Sequence, residues 1–131
     1  MWYVIEHLVD LHRVLRLARE LLVDGGVLAF STPNGTGISA RRSLRRFLEQ
    51  SPGDHYTVWS PRSAREVLRR HGFRIRRTRV TGHHPERFPF AGGRGWWGRA
   101  YRVHAGVASR LLRLGDTFEV YATAVERGSD V

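Results

Sequence analysis

Residues 21–34 read LLVDGGVLAFSTPN, and how they are read decides the fold. Leu21 and Leu22 close a helical apolar pattern, Asp24-Gly25-Gly26 turns the chain, and Val27 to Phe30 form a short apolar run. Glycine takes the positive φ of a helix C-cap without steric cost. A continuous apolar run bounded by turn residues fits a strand covered on both faces. Ser31-Thr32-Pro33-Asn34 then stops that strand. Ligands of open α/β sheets sit just beyond the carboxyl ends of the strands. Function is therefore expected first at Ser31 to Asn34.

Upstream, residues 1–5 (MWYVI) are apolar and β-prone, and the chain begins inside this expected strand. Glu6-His7-Leu8-Val9 makes a short exit loop, and Asp10 is a good N-cap. Leu11, Val14, Leu15, Ala18, Leu21 and Leu22 recur at three- and four-residue steps, with Arg13, Arg16, Arg19 and Glu20 on the wet side. Strand, helix and strand make one βαβ unit with a right-handed crossover.

Downstream, Gly35 to Ala40 fits the G-x-G-x-x-A dinucleotide pattern. Pro33 and Asn34 nevertheless intervene after the strand, and no strand ending in an acidic residue follows at the required distance. The stretch is read as a loop leading into a basic surface helix with Arg41, Arg42, Arg45 and Arg46. Ser60 caps the next helix, Pro61 opens it, Ala64, Val67 and Leu68 line its buried face, and Gly72 ends it. Phe73 to Val80 is a strand with Phe73 and Ile75 inward, but Arg77 and Arg79 disturb its alternation. Charges on both faces predict an edge strand. Residues 82–98 are loop-like, rich in glycine and aromatics, and read either as a mobile lid or as a surface loop packed by Trp96 and Trp97. A helix over 100–114 is expected to bury Val103, Val107, Leu111, Leu112 and Leu114. Thr117 to Val125 form the last strand, and residues 127–131 a frayed tail.

The formal net charge is +10, and every basic residue except histidine is Arg. A complete lack of Lys points to GC-rich coding rather than to a nucleic-acid surface, so nucleic acid is not the expected partner. The competing class is a basic nucleic-acid-binding module using the Arg-rich stretches 41–46 and 62–79. No Cys is present, so disulfides and thiolate metal sites are excluded. No apolar run approaches the roughly 20 residues of a membrane span, and no basic n-region precedes the apolar start. A cytoplasmic location is expected.

If the sheet is parallel at its start, Glu6 and His7 lie beside Ser31 to Asn34, where a histidine can act as a general base. His83-His84-x-Glu86 is the tightest histidine cluster, but adjacent histidines on an extended chain point to opposite sides. No metal site is expected. Ser31 and Ser39 lack a nucleophile elbow, and a P-loop needs a Lys.

Glu6-His7-Leu8 with Asp10, Leu21-Leu22, Gly25-Gly26 and Ser31-Thr32-Pro33-Asn34, in this order, resembles class I S-adenosylmethionine-dependent methyltransferases. The branch it is most similar to is the ubiquinone-biosynthesis-type and related small-molecule enzymes. Asp54-His55-Tyr56, then Ser60-Pro61 and a helix ending at Gly72-Phe73, resembles that group's later region. The resemblance implies an α/β, partial Rossmann-like sheet made of the family's fourth to seventh strands, with helices on both faces. The last strand would be antiparallel and inserted between its predecessors. It implies one incomplete domain over residues 1–131, lacking the first three strands and the glycine-rich loop that chiefly hold the cofactor S-adenosylmethionine. Val4, Ile5 and Glu6 would line the cofactor's methionine end, His7 would be the catalytic base, and Asn34, His55 and Tyr56 would face a small-molecule methyl acceptor. Alone, the chain would be inactive, and its apolar edge from Met1 to Ile5 would pair with a missing N-terminal half or with a second copy; a non-catalytic half that pairs with a partner chain is a further alternative.

Overall fold

The computed structural model describes residues 1–88 and 96–126. Helix α1 (Leu11–Leu21) leads into strand β1 (Val27–Pro33). Two short helices follow, α2 (Ile38–Arg42) and α3 (Leu44–Glu49), and then α4 (Pro61–Arg70) and β2 (Phe73–Thr81). Helix α5 (Trp96–Leu111) and β3 (Thr117–Ala124) complete the described chain. The sheet is three-stranded in the order β1-β3-β2, with both pairings antiparallel. The last strand thus lies between its two predecessors, as expected.

Local chemistry explains the elements. The Asp10 side chain accepts from Arg13 N at 3.0 Å and starts α1. Ser60 and Ser63 cap α4 reciprocally, with Pro61 at its first position. Gly72 ends α4 at φ 75°, a conformation that a side chain would strain. A single core gathers one face of the sheet. Leu28 and Phe30 of β1 and Phe118, Val120, Ala122 and Ala124 of β3 meet Leu11 and Leu15 of α1 and Ala64 and Leu68 of α4. Burial of each large side chain there contributes about 1.5–3 kcal/mol.

The structure departs from the sequence reading in several places. The expected first strand, residues 1–5, is reduced to one parallel bridge, Trp2 to Ser31. Tyr3 N donates to Ser31 O and Ser31 N to Met1 O, both at 3.0 Å, so the segment runs along β1 where a fourth strand would lie. Tyr3 then takes a positive φ of 52°, and residues 5–7 coil into a 3-10 turn that ends the extended run. Both helices of the core, α1 and α4, lie on the Phe30 face. The opposite face carries exposed Arg74, Arg77 and Arg79 beside half-buried Glu119, Tyr121 and Thr123. Strand β1 runs on through Ser31, Thr32 and Pro33, which are therefore sheet residues rather than a loop.

The single basic helix expected after Ala40 breaks at Ser43, whose side chain caps α3 by accepting from Arg46 N. In α5, Val103, Val107 and Leu111 are exposed, as is Leu112 just beyond it, although burial was expected; Leu114 alone is buried as expected. The helix instead buries its small residues Gly98, Ala105 and Ser109, and Ser109 Oγ lies 2.7 Å from His83 Nδ1. Leu21 is 84% exposed, because α1 ends there and Leu22 turns back to the core. Most of the glycine-rich part of the expected lid, residues 89–95, and the tail lie outside the described residues.

Candidate functional site

The site grows from the junction of the first segment with β1. The chain runs parallel to β1 at Trp2, then coils as Ile5-Glu6-His7 against that strand. Coiling sends consecutive side chains in different directions. Ile5 enters the core and is fully buried, Val4 stays exposed, and His7 is half-buried. Glu6 is 1% exposed, and neither carboxylate oxygen has a hydrogen-bond partner among the described residues. An orphaned carboxylate is costly in a protein interior unless something charged sits against it. The hydroxyls of Ser31 and Thr32 on β1 are likewise buried and unpartnered.

The loop before α4 returns to this turn. Tyr56 N donates to Glu6 O at 2.9 Å and Thr57 N to the same oxygen at 3.3 Å, which fixes residues 54–57 over the Glu6-His7 turn. Asp54 Oδ2 then lies 3.0 Å from His7 Nδ1. The His7 and His55 rings meet edge-to-face, with centroids 4.6 Å apart. One donor atom from each of Glu6, His7 and His55 lies within 4.8 Å of the others. A carboxylate on Nδ1 selects the imidazole tautomer whose lone pair is on Nε2.

His55 also borders a cleft of about 720 Å³ whose walls include Pro33, Ser39, Arg42, Arg46, Phe47 and Arg87. That size is within the range of small-molecule pockets. The cleft's shape depends on Asp116, which is buried. It accepts from Ser39 N and Ser39 Oγ, both at 2.8 Å, and pairs with Arg87. This network ties the start of α2 to the loop before β3.

The residues expected at the site separate into two groups. Glu6, His7 and His55 come together, and Tyr56 joins them through its backbone while its side chain is exposed. Asn34 does not join them. It is fully buried, with Nδ2 donating to Gly115 O at 2.8 Å and Oδ1 accepting from Thr36 N and Thr36 Oγ1. Its amide is consumed in holding two loops together. His83 and His84 have separate partners, Ser109 Oγ and Glu86 Oε1 respectively. Sequence reasoning gave no role to Asp54, although it directly precedes His55, and gave none to Arg87, whose partners lie 29 and 48 residues away.

An antiparallel final strand inserted between two others, preceded by a segment parallel to β1 that ends in a Glu-His turn, is the arrangement expected from the methyltransferase resemblance. The family model described as "Methyltransferase domain" matches residues 1–78, and the chain belongs to that family. Among solved structures, it is similar to a S-adenosylmethionine-dependent methyltransferase from Archaeoglobus fulgidus, with TM-score 0.61 and 19% identity over 94% of this chain and 57% of that one. It is also similar to a chain in the complex between the Haloferax volcanii Trm112 methyltransferase activator and a proposed methyltransferase, with TM-score 0.60 and 17% identity over 98% of this chain and 54% of that one. The chain thus spans little more than half the length of these structures. No curated protein sequence matches it. Among the described residues, no helix is long and apolar enough to cross a membrane.

Proposed function

We propose that these 131 residues are the acceptor-side part of one S-adenosylmethionine-dependent methyltransferase domain, acting on a small molecule in the cytoplasm. The observation that carries this reading is the Glu6-His7 turn at the end of the segment parallel to β1, with Asp54 and His55 fixed over it beside a small-molecule-sized cleft. When bound, S-adenosylmethionine supplies an activated methyl group. The residues present fit one end of that cofactor. Val4 is exposed and Glu6 holds a buried orphaned carboxylate suited to a cationic neighbour, while Ile5 gives a backbone wall with its side chain in the core. Groups for the carboxylate, ribose and adenine would come from a segment outside these residues, so the chain alone would be inactive.

Within this part, Asp54 accepts the Nδ1 proton of His7, and Nε2 of His7 then takes the proton released by the acceptor. His55 and Tyr56 position the acceptor, and Arg42, Arg46 and Arg87 make the cleft attractive to an acceptor carrying negative charge. Asn34 serves the acceptor side indirectly, by holding the loop beyond β1. The edge from Met1 to Ile5 would be completed by an N-terminal half, with self-association as the alternative. A partner chain is in keeping with the activator-bound structural relative.

In the complete domain, His7→Ala should lower kcat for methyl transfer by about 10²–10⁴, the usual contribution of a positioned base. A radiolabelled methyl-transfer assay reads this, and wild-type kcat in His7→Ala would remove His7 from the mechanism.

A further inference from the structure

The proposed function uses His7 as a base and gives Glu6 only a place beside the cofactor. That leaves the convergence of Glu6, His7 and His55 unexplained. One carboxylate and two imidazoles place donor atoms within 4.8 Å of each other, and the carboxylate is 1% exposed with both oxygens free. A lone base needs no second histidine, and an amino group would not call for two imidazole lone pairs. Two nitrogen donors and one oxygen donor are the ligand set of a borderline first-row divalent cation, whereas Mg²⁺ favours an all-oxygen shell.

We propose that Glu6, His7 and His55 bind one such divalent cation of the Zn²⁺ or Co²⁺ class. Asp54 is the group that orients it. At 3.0 Å from Nδ1 it keeps the His7 proton on that nitrogen and leaves Nε2 as the ligand atom, the usual arrangement of a carboxylate behind a metal-bound histidine. The protein side of the site is held from two directions, by the 3-10 turn of residues 5–7 and by the bonds from Tyr56 N and Thr57 N to Glu6 O. Three protein ligands leave a position open for water or an acceptor oxygen. The proposal rests on the acceptor site described above; His7 acts as the base only while the cation is absent, since a lone pair given to a metal cannot also take a proton.

The test is a titration of the purified, tag-free chain with CoCl₂, followed by the visible ligand-field spectrum and by calorimetry. The expected result is saturable 1:1 binding. Glu6→Gln and His55→Ala should each weaken it by 10-fold or more, Asp54→Asn by a smaller factor, and His84→Ala should leave it unchanged. Near-ultraviolet circular dichroism of each variant reports that the fold is kept. Absence of saturable binding, or binding that survives both Glu6→Gln and His55→Ala, would overturn the proposal. Displacement of Co²⁺ by S-adenosylmethionine in place of Zn²⁺ would also overturn it, since it would assign the carboxylate to the cofactor. The titration reads no methyl transfer, so its failure leaves the methyltransferase reading standing, and the reverse also holds.

Discussion

Asn34 shows how a polar residue at a strand end can be structural even when its position suggests ligand binding. Its two amide atoms are used by Gly115 O and by Thr36, and no surface remains for an acceptor. Asn34→Ala should cost about 1–3 kcal/mol, because it strands a buried carbonyl and a backbone N–H. Chemical denaturation measures the loss, and an unchanged midpoint would contradict the structural role. The sequence does mark Asn34, through the Thr32-Pro33-Asn34 motif, but cannot say which way the side chain points. Its main partner is 81 residues away, and such pairings leave no local signal. The same limit hid Arg87. Glu6-His7 was legible because an acid and a histidine at the end of an apolar run need only local reading.

Elements whose pattern is local came through well. Helix α1, the β1 turn, the Ser60-Pro61 start of α4 and the edge position of β2 all follow from caps, turn residues and alternation. In β2 even the disturbance had meaning. The register shifts between Ile75 and Arg77, so Arg76 is the extra residue of a bulge. The bulge puts Arg77 and Arg79 on the same face as Arg74 and lets Thr78 and Val80 face Val120 and Phe118. Helix α5 was misread because its apolar stripe was taken to be its buried side, whereas its contact surface consists of small residues.

On α4, Glu66 offers a quantitative check. The hydrogen bond from Arg70, then that from Arg69, holds its carboxyl below the ordinary carboxylate range. A pKa lowered on folding stabilises the protein above the unfolded-state value, and the effect is lost as pH falls through the folded value. Glu66→Gln should therefore lower Tm slightly at neutral pH, and by less at a pH below the folded-state value. An equal penalty at both pH values would contradict the ion pairs.

At the scale of the whole molecule, the described residues make a three-stranded sheet with a well-filled core on one face. The Phe30 face is closed by α1 and α4, while Trp2, Tyr3, Val4 and Val27 remain exposed near the free edge. Unpaired backbone beside apolar side chains is a template for association. This chain spans little more than half the length of the similar solved structures. In the proposed reading these residues supply the acceptor side, and the groups that would hold the cofactor lie outside them. The direct measurement is isothermal titration of the purified chain with S-adenosylmethionine, with its oligomeric state followed by light scattering. The account predicts no measurable cofactor binding and a self-associated chain; micromolar binding by a soluble monomer would contradict it.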